Sequence, residues 1–245
     1  RGMSAIELSG VTKRFGDVVA NDDVDFSREK GSIHALLGEN GSGKTTLMSV
    51  LYGLYEKNAG TIHVDGEPRT FASPRDAMDA GIGMIHQHFQ LVETMTVLQN
   101  IILGHEPSEN GFVDTAAARA DVEEICSRYE FDVDEYLDMR VRDLDLGARQ
   151  RVEIVKSLYR GAEILILDEP TAVLTPQEIE DLLDVMEELT DAGHSLIFIT
   201  HKLGEALDAA DEITVLRDGA AIGTVPAGGT SEEELARMMV GREVQ

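Results

Sequence analysis

Eight residues, Gly38-Glu39-Asn40-Gly41-Ser42-Gly43-Lys44-Thr45, fill the pattern G-x-x-x-x-G-K-[ST] completely. They stand where that pattern has a mechanism. Ser32 to Leu37 before them reads as a strand, and Leu47, Val50, Leu51 and Leu54 after them recur at helical spacing. Glycines let backbone amides wrap an anion, and a helix N-terminus adds a favourable dipole. Lys44 is then placed to reach phosphate oxygens and Thr45 to offer its hydroxyl to Mg²⁺. A chain built this way must feed a strand directly into a helix, which points to an α/β architecture with ligands at the carboxyl ends of parallel strands.

A second anchor narrows the chemistry. Ile164-Leu165-Ile166-Leu167 precedes Asp168-Glu169, which reads as a buried strand delivering two carboxylates at its end. The two acids suit different tasks, Asp168 holding Mg²⁺ through its water shell and Glu169 polarising an attacking water. His201 follows another strand-like run, Leu196 to Thr200, at the same presumed edge, where an imidazole can hold water or phosphate. The other histidines, His34, His63, His86, His88, His105 and His194, read as packed or exposed bystanders. Gln87, after strand 82 to 85, offers an amide oxygen to metal or water and a hinge to the residues beyond it. Phe15, in the turn between the first two strands, offers a ring to stack on adenine. Taken alone, Gln87 is an ordinary polar residue and Phe15 is core or hairpin filler.

Along the chain, Ile6 to Val11 and Val18 to Phe26 read as strands, Thr61 to Val64 as another with a turn at Asp65-Gly66, and Ser73-Pro74 as the start of a short helix. Asn58-Ala59-Gly60 ends the helix that begins at Lys44. From about residue 89 to 160 the composition turns helical, which marks an inserted subdomain. Beyond it come strand 163 to 168, a helix opened by Thr175-Pro176-Gln177-Glu178 as a capping box, strand 195 to 200, a helix, strand 212 to 217 and a hairpin at Asp218-Gly219. With 245 residues the chain can bury a large core without metal or disulfide, and its one cysteine, Cys126, has no partner within the chain. Apolar runs reach strand length only, well short of the roughly 20 residues of a spanning helix. Arg1-Gly2-Met3 shows no leader pattern, and Met3 reads as a native start behind a short remnant.

These motifs in this order resemble the nucleotide-binding domain of ABC transporters. On that resemblance Phe15 is the aromatic A-loop residue, 38 to 45 Walker A, Gln87 the Q-loop, 144 to 148 the signature, 164 to 169 Walker B, 172 to 175 the D-loop and His201 the switch histidine. It implies a P-loop NTPase fold, with a RecA-like parallel core and an N-terminal antiparallel β subdomain in 1–88 and 161–245, and an inserted helical signature subdomain in 89–160. It further implies that ATP and Mg²⁺ are held by Gly38, Asn40, Gly41, Ser42, Gly43, Lys44, Thr45 and Thr46. Leu144, Asp145 and Gly147 would close over nucleotide, with Thr45, Gln87 and Asp168 at the metal and Lys44, Gln87, Glu169 and His201 acting in hydrolysis. Segments 81–101, 149–178 and 198–207 are similar to the ATPases of nucleoside and simple-sugar importers, in which one polypeptide usually carries two such domains. Met239 to Val244 resembles the end of the first. The implied partners are a second nucleotide-binding domain, as tandem half or homodimer, membrane permease subunits and, indirectly, an extracellular solute-binding protein, at the cytoplasmic face of the membrane.

Two positions depart from the family pattern. The signature's serine is replaced by Asp145, and the D-loop ends in Thr175 where Asp is common. A carboxylate and a phosphate oxygen about 4 Å apart repel by roughly 4 kcal/mol at an effective dielectric near 20. The composite site that uses this signature is therefore expected to be weak, unless Asp145 points away and the Gly147 amide suffices. Other classes fit less well. The stretch between Thr45 and Asp143 holds no coiled coil of the kind that divides chromosome and repair ATPases, and basic arms suited to the ribosome are missing. A regulatory half-domain with little hydrolysis of its own is the alternative, and Glu169 with His201 speaks against it.

The chain carries 46 acidic against 21 basic residues, a net charge of −25. A field of that sign repels nucleic acid, which binds through clustered Lys and Arg. It also strains the folded state in dilute buffer and is relieved by screening, as in adaptation to high salt. The melting temperature should climb steeply between low and molar salt in a thermal scan, and a flat response would remove the salt-adaptation reading.

Overall fold

The structure, a computed structural model, describes residues 4–241. Met3 and the last residues of the 239–244 segment, on which two of the expectations above fall, lie outside the described residues. The chain opens with β1 (Ser4–Phe15), β2 (Val18–Glu29) and β3 (Ile33–Leu37), followed by α1 (Lys44–Leu51). Then come β4 (Ala59–Val64), β5 (Glu67–Arg69), α2 (Pro74–Asp79) and β6 (Ile82–Ile85). The helical stretch holds α3 (Val97–Ile102), a small hairpin of β7 (Ser108–Glu109) and β8 (Phe112–Val113), α4 (Thr115–Arg128), two 3-10 turns and α5 (Leu146–Tyr159). The chain closes with β9 (Ile164–Asp168), α6 (Pro176–Asp191), β10 (Ser195–Thr200), α7 (Leu203–Ala209), β11 (Glu212–Arg217), β12 (Ala220–Pro226) and α8 (Glu232–Val240).

Two sheets organise these elements. An antiparallel sheet runs β2-β1-β4-β5, and a second runs β12-β11-β3-β10-β9-β6, parallel except for β12. Every residue of β3, β6, β9 and β10 is buried. That is why those strands read as unbroken apolar runs and not as alternating ones. The period of two survives as a division between faces. Ile33, Ala35, Leu37, Leu165, Leu167, Leu196 and Phe198 pack with residues of α3, α4, α5 and α6. Leu36, Ile164, Ile166, Ile197 and Ile199 pack with Leu47, Met48 and Leu51 of α1 and with the antiparallel sheet. Each fully buried Leu or Ile contributes about 2 kcal/mol by leaving water. The helical stretch therefore has no separate core: Val97, Ile101, Val122, Val152 and Val155 continue one face of the sheet.

Three features differ from the expectations. β1 and β2 run twelve residues each, past Val11 and Phe26, because β1 is paired along both edges and tolerates register shifts within its length. The helix from Lys44 stops at Leu51, well before Asn58-Ala59-Gly60, where Ala59 already begins β4: Gly53 turns the chain at φ +82, with Ser73 O filling the place a Cβ would need. The β7–β8 hairpin is an addition to the expected elements. Its turn is Asn110-Gly111, both at positive φ (54° and 83°), the dipeptide that two-residue hairpin turns favour. The Thr175 capping box is present, with Pro176 in the first turn. Among the described residues no helix is long and apolar enough to cross a membrane.

Candidate functional site

The parallel register brings three strand ends together. Leu37 of β3 lies opposite Thr200 of β10, and Ile199 of β10 opposite Asp168 of β9. The chain leaving each strand is tied to its neighbour: Gly38 N–H donates to Thr200 O at 3.3 Å and Glu169 N–H to Ile199 O at 3.0 Å. The glycine-rich loop, the Asp168-Glu169 pair and His201 thus emerge side by side.

Backbone contacts shape the loop. A side chain at Gly38 would overlap the Ser42 hydroxyl and Leu216 O, and Gly43, at φ +96, would meet Ala20 O and the Asn21 amide. Asn21 Nδ2 in turn donates to Gly43 O at 3.0 Å. Lys44 is nearly buried, and its ammonium donates back to the loop, to Gly38 O at 2.5 Å and Glu39 O at 3.0 Å. Burial lowers its pKa, opposed by Glu169 and Asp168. Ser42 Oγ is buried without a hydrogen-bond partner. Asn40, Gly41 and Thr45 are exposed, while Gly43 and Thr46 are half-buried.

Asp168 is buried, and its Oδ1 has no partner. Burial, and then the adjacent Glu169, raise its pKa, against the pull of Lys44, the Thr45 hydroxyl and His88. Glu169 takes a left-handed backbone conformation, φ +46. Its carboxylate meets His201 Nδ1 at 3.0 and 3.2 Å. Side-chain exposure falls from 43 % at His201 to 12 % at Glu169, so the pair faces outward through the imidazole. Among the described residues no three His, Cys, Asp or Glu side chains form a metal-ligand set. Thr45 and the unpartnered Asp168 oxygen offer instead the sparse oxygen donors that suit Mg²⁺ shared with phosphates.

The remaining expected residues lie around this centre. Gln87 is exposed just past β6, the strand beside β9. Phe15 is 43 % exposed at the β1–β2 turn. Its ring meets Tyr55 edge to face at 5.1 Å, and Lys13 Nζ stands 4.9 Å above it. Leu144, Asp145 and Gly147 sit at the start of α5, and among the described residues no hydrogen bond or ion pair joins them to the 38–46 loop. Asp145 is the N-cap, its carboxylate accepting from Ala148 N–H at 2.7 Å. Gly147 packs against the Glu178 carboxylate of α6, which fills the space of a Cβ. Sequence reasoning missed Lys13 and Tyr55 beside Phe15, and also Gln150, Thr171 and Glu205, which grip the chain beyond Glu169. A threonine two residues after the paired acids was the only local hint.

A protein-family profile described as "ABC transporter" matches residues 21–172. The chain is 52 % identical over 241 residues to a nucleoside import ATP-binding protein of Lactococcus lactis, covering 98 % of this chain and 47 % of that protein. It is 50 % identical to a guanosine import ATP-binding protein of Bacillus subtilis and 46 % identical to a glucose import ATP-binding protein of Haloferax volcanii, in each case over 98 % of this chain and 46 % and 48 % of the relative. The chain thus spans about half the length of these relatives. Among solved structures, an ATP-binding cassette of an ABC transporter in its ADP conformation superposes with a TM-score of 0.84 at 24 % identity, covering 98 % of this chain and all of that one.

The loop contacts predict the outcome of a methyl group at Gly43. Gly43→Ala should weaken binding of a fluorescent ATP analogue at least about tenfold, because positive φ and the Ala20 carbonyl together forbid the side chain. Titration of the variant checks this, and undiminished affinity would show that the loop can rearrange.

Proposed function

The chain belongs to the ABC transporter family, matched over residues 21–172, and from that premise we propose that it binds ATP with Mg²⁺ and hydrolyses it to drive import of a nucleoside or simple sugar. The observation that carries the reading is the Glu169–His201 contact at 3.0 Å, standing beside Lys44 and Asp168 on one sheet edge. Amides of the 38–46 loop and the Lys44 ammonium hold the phosphates. Thr45, Asp168 and Gln87 hold Mg²⁺, which when bound neutralises charge on the phosphate oxygens. Glu169 takes a proton from the attacking water while His201 orients the carboxylate and meets the terminal phosphate. Phe15 stacks on the base, with Lys13 and Tyr55 holding its ring.

Residues 1–88 with 161–245 make the nucleotide-binding core and its β subdomain, and 89–160 the helical subdomain that faces the permease. The names of the relatives, all import ATP-binding proteins, support the import reading, and their doubled length supports a second nucleotide-binding half as partner. Peripheral attachment at the cytoplasmic face follows from such a partnership. The acidic surface suits a salt-rich interior.

The Asp145 cap supports inequality of the two composite sites. Its carboxylate occupies an amide at the N-terminus of α5 and brings negative charge where a partner's phosphate would dock. The site formed with this signature segment is then the weak one, and the site using this chain's own loop is the one that turns over.

Two measurements on the full-length protein test these readings. Glu169→Gln should abolish turnover, by at least about a hundredfold as for loss of a general base, while ATP stays trapped on the protein through a desalting column. Lost turnover without trapping would favour the regulatory alternative. Asp145→Ser should raise hydrolysis at the composite site that uses this signature, read by single-site turnover with the other site inactivated, and an unchanged rate would count against the inequality.

A further inference from the structure

Glu169 sits at φ +46, a conformation few side chains adopt, and a residue held there needs surroundings that over-determine it. Backbone bonds provide part of the hold, Glu169 N–H to Ile199 O at 3.0 Å and Ala172 N–H to Glu169 O at 3.2 Å. Side chains from two helices provide the rest. From α5, the buried Gln150 donates through Nε2 to Pro170 O at 2.7 Å. From α7, Glu205 accepts the hydroxyl of the buried Thr171, which lies 2.7 Å from each carboxylate oxygen. Glu205 also accepts from Thr200 Oγ1 at 3.3 Å and lies 3.4 Å from Lys202 Nζ. Thr171 is two residues beyond Glu169, and Thr200 and Lys202 flank His201. One carboxylate therefore spans both loops that carry the Glu169–His201 contact.

We propose that Glu205 is a positioning residue for hydrolysis: it locks the loop after β9 to the loop after β10 and so sets the distance between Glu169 and His201, with Gln150 holding the same loop from α5. This rests on Glu169 being the carboxylate that activates water. Neither Glu205 nor Gln150 needs to touch nucleotide. Thr171 and Thr200 are 5 % and 0 % exposed, so their hydroxyls have no solvent to turn to and remain committed to this acceptor. α5 is capped by Asp145, so the helix that starts at the signature segment is also tied to the backbone just after Glu169 by one hydrogen bond.

The test uses the full-length protein with Mg-ATP. Thr171→Val and Glu205→Gln should each lower kcat by at least about tenfold through misplacement of the base. KM for ATP and the melting temperature should stay close to those of the parent, and Thr171→Ser should restore kcat. Added to Glu169→Gln, Thr171→Val should cause no further loss, since the group it positions is gone. Unchanged kcat in both single variants would overturn the proposal while leaving Glu169 as the base. A parallel fall in kcat, affinity and melting temperature would also overturn it, by showing a general structural role. Turnover that survives Glu169→Gln would remove the base assignment and this inference with it, an outcome distinguishable because the reference variant alone reveals it.

Discussion

The parallel register of β3, β10 and β9 is the constraint on which the rest depends. Leu37 against Thr200 and Ile199 against Asp168 leave three chains departing from one sheet edge within hydrogen-bond reach of one another. Parallel pairing requires that each strand be followed by a crossover, so every ligand-facing loop lands on the same side of the sheet. A slip of one residue would exchange the two faces of each buried strand and destroy both halves of the core. The burial that stabilises the sheet also fixes where the charged groups must emerge.

That arrangement places polar chemistry against an apolar floor. Asp168 is the last residue of a strand whose other members are buried hydrocarbon, so its carboxyl is desolvated and harder to ionise. Lys44 is desolvated too, and the two carboxylates of the site oppose the resulting shift. Its ammonium rests on two loop carbonyls, neutral acceptors that a stronger anionic partner can replace. Strain collects next to this cluster, at Glu169, where side chains of α5 and α7 brace the chain beyond it.

The helical stretch is bound to the site more closely than an appended subdomain would be. Its apolar residues continue one face of the sheet, Gln150 reaches the backbone beyond Glu169, and Glu153 accepts from Gln90 N–H at 2.8 Å on the way from β6 into α3. Burial raises the pKa of Glu153, opposed by Lys156. These two contacts, with the Arg149–Glu93 ion pair at 3.0 Å, connect α5 to the segments on either side of the nucleotide edge, beside a large apolar cluster. Such directional bonds define a preferred orientation between apolar surfaces that alone would tolerate sliding.

Short-range patterns were legible in the residues. The G-x-x-x-x-G-K-[ST] loop, the apolar run into Asp168-Glu169, the Thr175 capping box and the turn at Asp218-Gly219 each arise from local rules of backbone freedom, burial and capping, and they appear in place. The sequence by itself determined the α/β class and the chemical types at the site. Long-range pairing decided the rest. Only the sheet order brings His201 against Glu169 across thirty-two positions of chain, only the packing of α7 brings Glu205 to Thr171, and the approach of β2 adds to the positive φ that bars a side chain at Gly43. Asp145 shows the division in one residue: its charge is written in the chain, but its use as a cap depends on where α5 begins, and whether that end meets a partner's phosphate depends on how two folded surfaces meet. Local propensities act over a turn or a strand, whereas contacts between distant segments form only once loop-closure entropy has been overcome by the whole core at once.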